Sequence, residues 1–331
     1  MLDLVRVTVV ALAALALTGA APTGRSPMSD GALVAARVMR LMRDTTWTPA
    51  GVTKLRFRTF HPQGMIRVGD DLFVSSVEVR TPPRHRGVGQ ERDVGAGVGH
   101  LLKVGPDGAL RGEVTLGEGA AYHPGGIDFD GRWLWVPVSE YRPDSRALVY
   151  RVDPATLKAQ LVFRFADHIG AVAFDRASRT LTGVSWGSRR FHRWAVSRTG
   201  GVPPAVAAAG RPVANPSHYV DLQDCHGAGA GRMLCSGLAA YRTAPNTPAF
   251  QLGGLELIDT AHGRPLWQVP VPLWSPSGRP MTQNPAFVEA TPRGLRAWFL
   301  PDDEDSTLFA FEAAPPDAPR DGNRLRAAPG G

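Results

Sequence analysis

Four histidines stand at one position of a repeated pattern. His61, His123, His168 and His218 each precede a short apolar stretch, in FHPQGMIRVGDDLFVSS, YHPGGIDFDGRWLWVPV, DHIGAVAFDRASRTLTGVS and SHYVDLQDCHGAGAGRMLCSG, and Asn284 holds the same place in QNPAFVEATPRGLRAWFLP. Neutral imidazole is a ligand for Zn, Cu, Fe and Ni, so four converging rings predict a divalent metal ion held by His61, His123, His168 and His218. Such an ion would act as a Lewis acid or activate water. The alternatives are structural capping, which the pairs His61-Pro62 and His123-Pro124 favour because proline restricts the residue before it, and a substrate site without metal.

Further polar residues follow the second strand of several repeats: Ser139, Glu140, Tyr141 and Arg142; Trp186, Ser188, Arg189 and Arg190; and Asp302, Asp303, Glu304 and Asp305. Carboxylate, guanidinium and indole groups around a histidine-lined mouth predict a small-molecule pocket. Glu140 is the expected general base, Arg142 or Arg189 would hold an anionic group, and Trp186 and Asp302 complete the expected catalytic set. The glycine-rich loop at 81–99 would cover that face or be disordered.

The elements that must position these groups come from the repeat itself. Each unit reads as a short strand, a turn bearing Asp, Gly or Arg, and a second strand, followed by a third alternating strand: HLLKVGP, ALVYRVDP, RFHRWAV, GLELIDT and TLFAFEA. A fourth strand shows as LRGEVTL, LKAQLVFRF and PLWQVPV, is blurred in the third unit and is missing from the fifth. The alternating stretch Val52 to Phe60 precedes the first repeat and supplies the missing strand, which closes a ring and removes an open edge. The expected fold is therefore all-β, a five-bladed β-propeller over 52–313, with the starts of the inner strands meeting at the channel mouth. An N-terminal segment at 22–51 carries a short helix, Ser29 to Asp44, capped by Ser29 or Asp30 and packed on the outside of the ring.

The first 21 residues place Arg6 before an apolar run, Val7 to Leu17, and end in small residues, the pattern of a secretory signal peptide. The mature chain would be a secreted or extracytoplasmic monomer, not membrane-bound after cleavage, with a disordered tail at 314–331. In that oxidising setting Cys225 and Cys235, flanking a glycine-rich turn, are expected to face each other on adjacent strands as a structural disulfide. The 331 residues carry 43% hydrophobic and 20% charged side chains, which excludes a disordered chain and a coiled coil. The net charge of +7 is scattered along the chain rather than clustered, so nucleic acid is not an expected partner.

Several motifs fail on context. Gly183 to Gly187 matches G-x-S-x-G, but a strand rather than a helix is expected from Arg190. Gly95, Gly97 and Gly99 open no helix, and Asp302 to Asp305 lacks the spacing of an EF-hand.

The runs HPQGM, YHPGGIDFDG, DHIGAVAFD, GVSWGSRRFHRW and QNPAFVEATPRGLRAWFLPDD together resemble an uncharacterised family of exported bacterial and fungal propeller proteins, a domain of unknown function, over residues 45–313. The chain also resembles, more distantly, the gluconolactonase and strictosidine-synthase-like propellers. Those are six-bladed and hold an axial Ca²⁺ with Glu, Asn and Asp, whereas histidine stands at the entrances here, so their lactonase or esterase chemistry is an analogy. The expected function is a metal-assisted hydrolase or lyase acting on a small molecule. The alternative is a non-catalytic propeller that binds a saccharide, peptide or cell-wall component.

Overall fold

The computed structural model describes residues 31–84, 93–208, 212–244 and 247–314. The expected signal peptide, the helix cap at Ser29 or Asp30, the middle of the 81–99 loop and all but the first residue of the expected tail lie outside them. Among the described residues no helix is long and apolar enough to cross a membrane.

A helix α1 (Gly31–Val38) and a strand β1 (Trp47–Lys54) precede five antiparallel sheets. The first blade is β2 (His61–Val68), β3 (Asp71–Thr81), β4 (Ala96–Val104) and β5 (Leu110–Leu116). The second is β6 (Ala121–Pro124) and β7 (Asp128–Phe129) on the inside, then β8 (Leu134–Glu140), β9 (Ala147–Val152) and β10 (Ala159–Phe165). The third is β11 (Ala171–Asp175), β12 (Thr180–Val184), β13 (Arg190–Ala195), a short helix α2 (Pro204–Ala208) and a two-residue β14 (Val213–Ala214). The fourth is β15 (Asp221–Gly227), β16 (Arg232–Tyr241), β17 (Phe250–Asp259) and β18 (Arg264–Val271). In the fifth, β19 (Ala286–Ala290), β20 (Leu295–Phe299) and β21 (Thr307–Ala313) are completed by β1, paired antiparallel to β21. The ring is thus a five-bladed β-propeller closed by an N-terminal strand, as the repeat predicts.

Burial follows from position in the blade. The inner strands lie between neighbouring blades and are buried on both faces, so AYHP and AVAFD are buried throughout. The outer strands have one wet face, and β5 and β18 largely alternate exposed with partly buried residues. Two details differ from expectation. The closing strand ends at Lys54, and Leu55 to Phe60 instead crosses from rim to axis, tied by Leu55 N–H to Ser306 O and Thr59 N–H to Glu304 O. The helix is shorter than expected and lies over the end opposite the inner-strand starts, where Val34, Ala35 and Val38 join the core of blades four and five. Arg37 there donates to the Thr291 and Gly294 carbonyls in the β19–β20 turn.

The glycines of YHPGG let the inner strands touch. A Cβ on Gly125 would stand 2.2 Å from Gly170 O, and one on Gly126 2.7 Å from the Asp224 carboxylate. Bare backbone there permits Gly126 N–H to bond Gly170 O at 2.9 Å and Val172 N–H to bond Gly126 O at 3.1 Å. Cys225 and Cys235 pair directly across β15 and β16 and form the expected disulfide. Closing a loop this short stabilises by roughly 3 kcal/mol on the chain-entropy view.

Two buried carboxylates knit the axis. Asp224 accepts from the Met65, Ile127 and Cys225 amides at 2.7, 3.2 and 3.1 Å, joining blades one, two and four. Asp128 accepts from Phe174 and Gly227 N–H at 2.7 and 2.9 Å, joining blades two, three and four. His226 lies 3.7 Å from both carboxylates and donates through Nε2 to Ala286 O of the fifth blade at 3.1 Å. Burial alone would lower the His226 pKa, but the Asp224 and Asp128 carboxylates outweigh it and raise the ring to about 9. The native state therefore holds a proton that an unfolded histidine, with a pKa of about 6.5, releases. This contribution is complete below pH 6.5 and is lost as pH rises through 9, in the same sense as the effect of burial on Asp224, whose carboxyl is raised to about 7. The melting temperature should fall by several degrees between pH 6.5 and 9, measured by circular dichroism. A flat or rising profile would remove the ion cluster from the account.

Candidate functional site at the channel mouth

The inner strands begin at one end of the ring, and their first residues enclose a cavity of about 370 Å³. His61, His123 and His168 line it with Gln63, Tyr141, Gly170, Ser185, Trp186, Asp221 and Gln223 among others. Two β-bulges shape this wall. Gln63 is the extra residue between Pro62 and Gly64 of β2, and Gln223 that between Leu222 and Asp224 of β15. A bulge re-aims the side chain it carries. Here both amides reach the cavity, and Gln223 Nε2 donates to Gln63 Oε1 at 2.9 Å, linking blades one and four across the mouth.

His61 carries the strongest chemical signature. Its Nδ1–H donates to Asp303 Oδ1 at 2.7 Å, and Asp303 in turn accepts from Arg279 Nη1 at 2.7 Å and Asn284 Nδ2 at 2.9 Å. Burial would raise the Asp303 pKa, but the bonds from His61, Arg279 and Asn284 prevail and hold it well below the usual carboxylate range. Asp303 is thus a fixed anion that sets the tautomer of His61 and leaves Nε2 as the basic nitrogen. Asn284, which replaces histidine in the fifth repeat, serves this pair.

His168 behaves differently. Burial depresses its pKa to about 4, against the opposing pull of the Glu140 carbonyl and Asp167. Its Nδ1–H donates to Glu140 O at 2.9 Å, so Nε2 is a lone-pair acceptor, on the ring edge nearest Gly170. Trp186 meets this ring edge-to-face at 4.8 Å, Tyr141 lies 5.9 Å from Trp186, and His123 stacks on Tyr141 at 4.1 Å. One side of the cavity is therefore a continuous aromatic wall.

The remaining expected site residues stand elsewhere. The Glu140 carboxylate is buried and held by Arg142 at 2.8 Å and Arg146 at 2.7 Å, so it is engaged as a double ion pair outside the cavity lining, and Arg142 is engaged with it. Arg189 donates to Gly187 O and Ser217 O and holds His218 Nδ1 at 2.8 Å, which keeps His218 out of the cavity. Asp302 accepts from Ser277 at 2.5 Å and lines a shallower neighbouring depression. The expected four-histidine set is thus reduced to three on the cavity wall, with a guanidinium beside the fourth. Among the described residues no group of three or more His, Cys, Asp or Glu side chains is placed to hold a metal ion. Ser185, the serine of the G-x-S-x-G match, accepts from Arg190 N–H at 2.9 Å and leads into a 3₁₀ turn and β13, not a helix. The architecture a nucleophile elbow needs is absent there.

Sequence reasoning singled out neither Gln63 nor Gln223, and it did not separate Asp303 from its acidic neighbours. The bulges depend on register, which the sequence leaves open. For Asp303 the available signal was Asn284 at the histidine position.

Strand pairing and cavity together define a five-bladed propeller with a histidine-lined mouth. The chain matches the model of DUF6454, a family of unknown function, over residues 27–315, and belongs to that family. No curated protein matches it. Among solved structures it is similar to the hydrazine synthase of Kuenenia stuttgartiensis, at 13% identity and a TM-score of 0.35, covering 75% of this chain and 58% of that one. It is also similar to regucalcin, a calcium-binding protein from Agrobacterium tumefaciens, at 13% identity and a TM-score of 0.42, covering 82% and 96%. A glycoside hydrolase shares 12% identity at a TM-score of 0.45, covering 87% and 97%. The chain thus spans less than two thirds of the hydrazine synthase chain.

Proposed function

We propose that the protein is an extracytoplasmic enzyme, a hydrolase or lyase that acts on a small polar molecule at the channel mouth, with His61 moving the proton. The observation that carries this reading is the 2.7 Å bond from His61 Nδ1–H to Asp303 on the wall of a cavity of small-molecule size. A carboxylate behind an imidazole fixes its tautomer and stabilises the imidazolium that forms when Nε2 takes a proton. In hydrolysis, His61 Nε2 removes a proton from water as its oxygen attacks the substrate and returns that proton to the leaving group. In elimination it removes the proton from carbon, the C–H electron pair forms the double bond, and the group on the adjacent carbon departs with its bonding pair and takes that proton from Nε2. The disulfide and the apolar leader support a location outside the cytoplasm.

The test is a panel of p-nitrophenyl esters, lactones and aryl glycosides assayed with wild type and His61→Gln. At least one compound should be turned over by wild type, about 100-fold or more slower by the variant, with the melting temperature unchanged. Equal rates in the two proteins would remove His61 from the chemistry. Ligand binding without any turnover would make the propeller a binding module.

A further inference from the structure

The polar atoms of the mouth have a sign. Among the described residues no lysine or arginine lines the cavity. Arg142 faces Glu140, Arg279 faces Asp303, and Arg189 is spread over Gly187 O, Ser217 O, His218 and the Asp221 carboxylate. An anionic ligand would therefore lose its hydration without a cation to receive it. What the wall does offer includes two placed acceptors. His168 Nε2 is fixed as an acceptor because Nδ1–H is spent on the Glu140 carbonyl. Gln223 spends one amide N–H on Gln63 and leaves its carbonyl oxygen, while the lining Asp221 is paired with Arg189 at 3.5 Å. A ligand that satisfies these groups must carry several hydroxyl or N–H donors. Beside them stand the indole of Trp186 and the ring of Tyr141, flat apolar faces whose negative π surface attracts the weakly positive C–H bonds of a saturated ring.

We infer that the mouth takes a neutral saccharide, its C–H face against Trp186 and its hydroxyls donating to His168 Nε2 and the Gln223 carbonyl. This rests on the cavity being the functional site and deepens that reading by naming its ligand class. Neutral sugars combine donor hydroxyls with an apolar ring face. Sugar acids and sugar phosphates add a charge that this wall does not neutralise.

Isothermal titration and tryptophan fluorescence with glucose, galactose, mannose, xylose, arabinose, cellobiose and chitobiose, set against glucuronate and glucose 6-phosphate, test the inference. A neutral sugar should bind, with the charged compounds roughly tenfold or more weaker. Trp186→Ala and His168→Phe should each weaken it about tenfold, while His168→Gln, which keeps an acceptor, restores most of the loss. Trp186→Ala alone decides the matter if His168→Phe fails to fold. Asp303→Asn, which lies behind His61 and not on the cavity wall, should bind the sugar as wild type does. No binding by any neutral sugar, tighter binding of glucuronate or glucose 6-phosphate, or full affinity in Trp186→Ala would overturn the inference. Sugar binding without turnover would uphold it and sink the acid–base reading, whereas turnover of a non-sugar ester with no sugar bound would do the reverse.

Discussion

Asp224→Ala is expected to lower the unfolding free energy by about 3–5 kcal/mol, the range for removing one partner of a buried charge pair. The carboxylate is wholly buried and accepts three amide N–H groups, from Met65, Ile127 and Cys225. Its loss strands those donors and leaves the protonated His226 with Asp128 alone at 3.7 Å. Each stranded donor costs about 1–3 kcal/mol unless water enters. Because two of the donors belong to other blades, the damage falls on the seams between blades one, two and four. Asp224→Asn should cost less, since the amide oxygen still accepts while the charge partner of His226 is lost. Urea unfolding at pH 8, between the raised Asp224 and His226 values, measures both, and a loss below about 1 kcal/mol for the alanine variant would show that the axial carboxylate is not what joins the blades.

Asp303→Asn is expected to lower kcat by about 10²–10⁴-fold while leaving ligand affinity within about threefold. Asp303 does not line the cavity and acts through His61, so it is a positioning residue and its removal should split kcat from binding. An asparagine that turns its NH₂ toward His61 Nδ1 would favour the opposite tautomer, with the proton on Nε2 and no base facing the substrate. A purely structural Asp303 predicts instead a lower melting temperature and an unchanged kcat for the protein that remains folded.

Much of this molecule is legible in its sequence, and the illegible parts share a cause. The repeat gives five blades and a borrowed closing strand because strand periodicity and turn residues are local signals. It also brings His61, His123 and His168 to one cavity, since equivalent positions in a ring converge. His218 obeys the same repeat and still leaves the cavity, drawn to Arg189 at 2.8 Å from the neighbouring blade. That contact spans 29 residues, and no local pattern encodes it. Glu140 reads as a free loop carboxylate, yet Arg142 and Arg146 fold back on it, and its useful group is the backbone carbonyl that sets the His168 tautomer. The outer strand of the third blade is blurred in sequence because it is two residues long, the Pro- and Ala-rich stretch before it having formed α2. Asp128 and Asp224 sit inside apolar strands, where an acid reads as a solvent-facing alternate. Only the meeting of inner strands at the axis shows that backbone amides of other blades receive them.

The most direct test of the central claim is a crystal structure of the Asp303→Asn protein with its slow substrate bound. The account predicts density in the axial cavity between Trp186 and Gln223, with the atom that gains or loses the proton within about 3.5 Å of His61 Nε2. A substrate bound elsewhere, or bound here with its reacting bond turned away from His61, would contradict it.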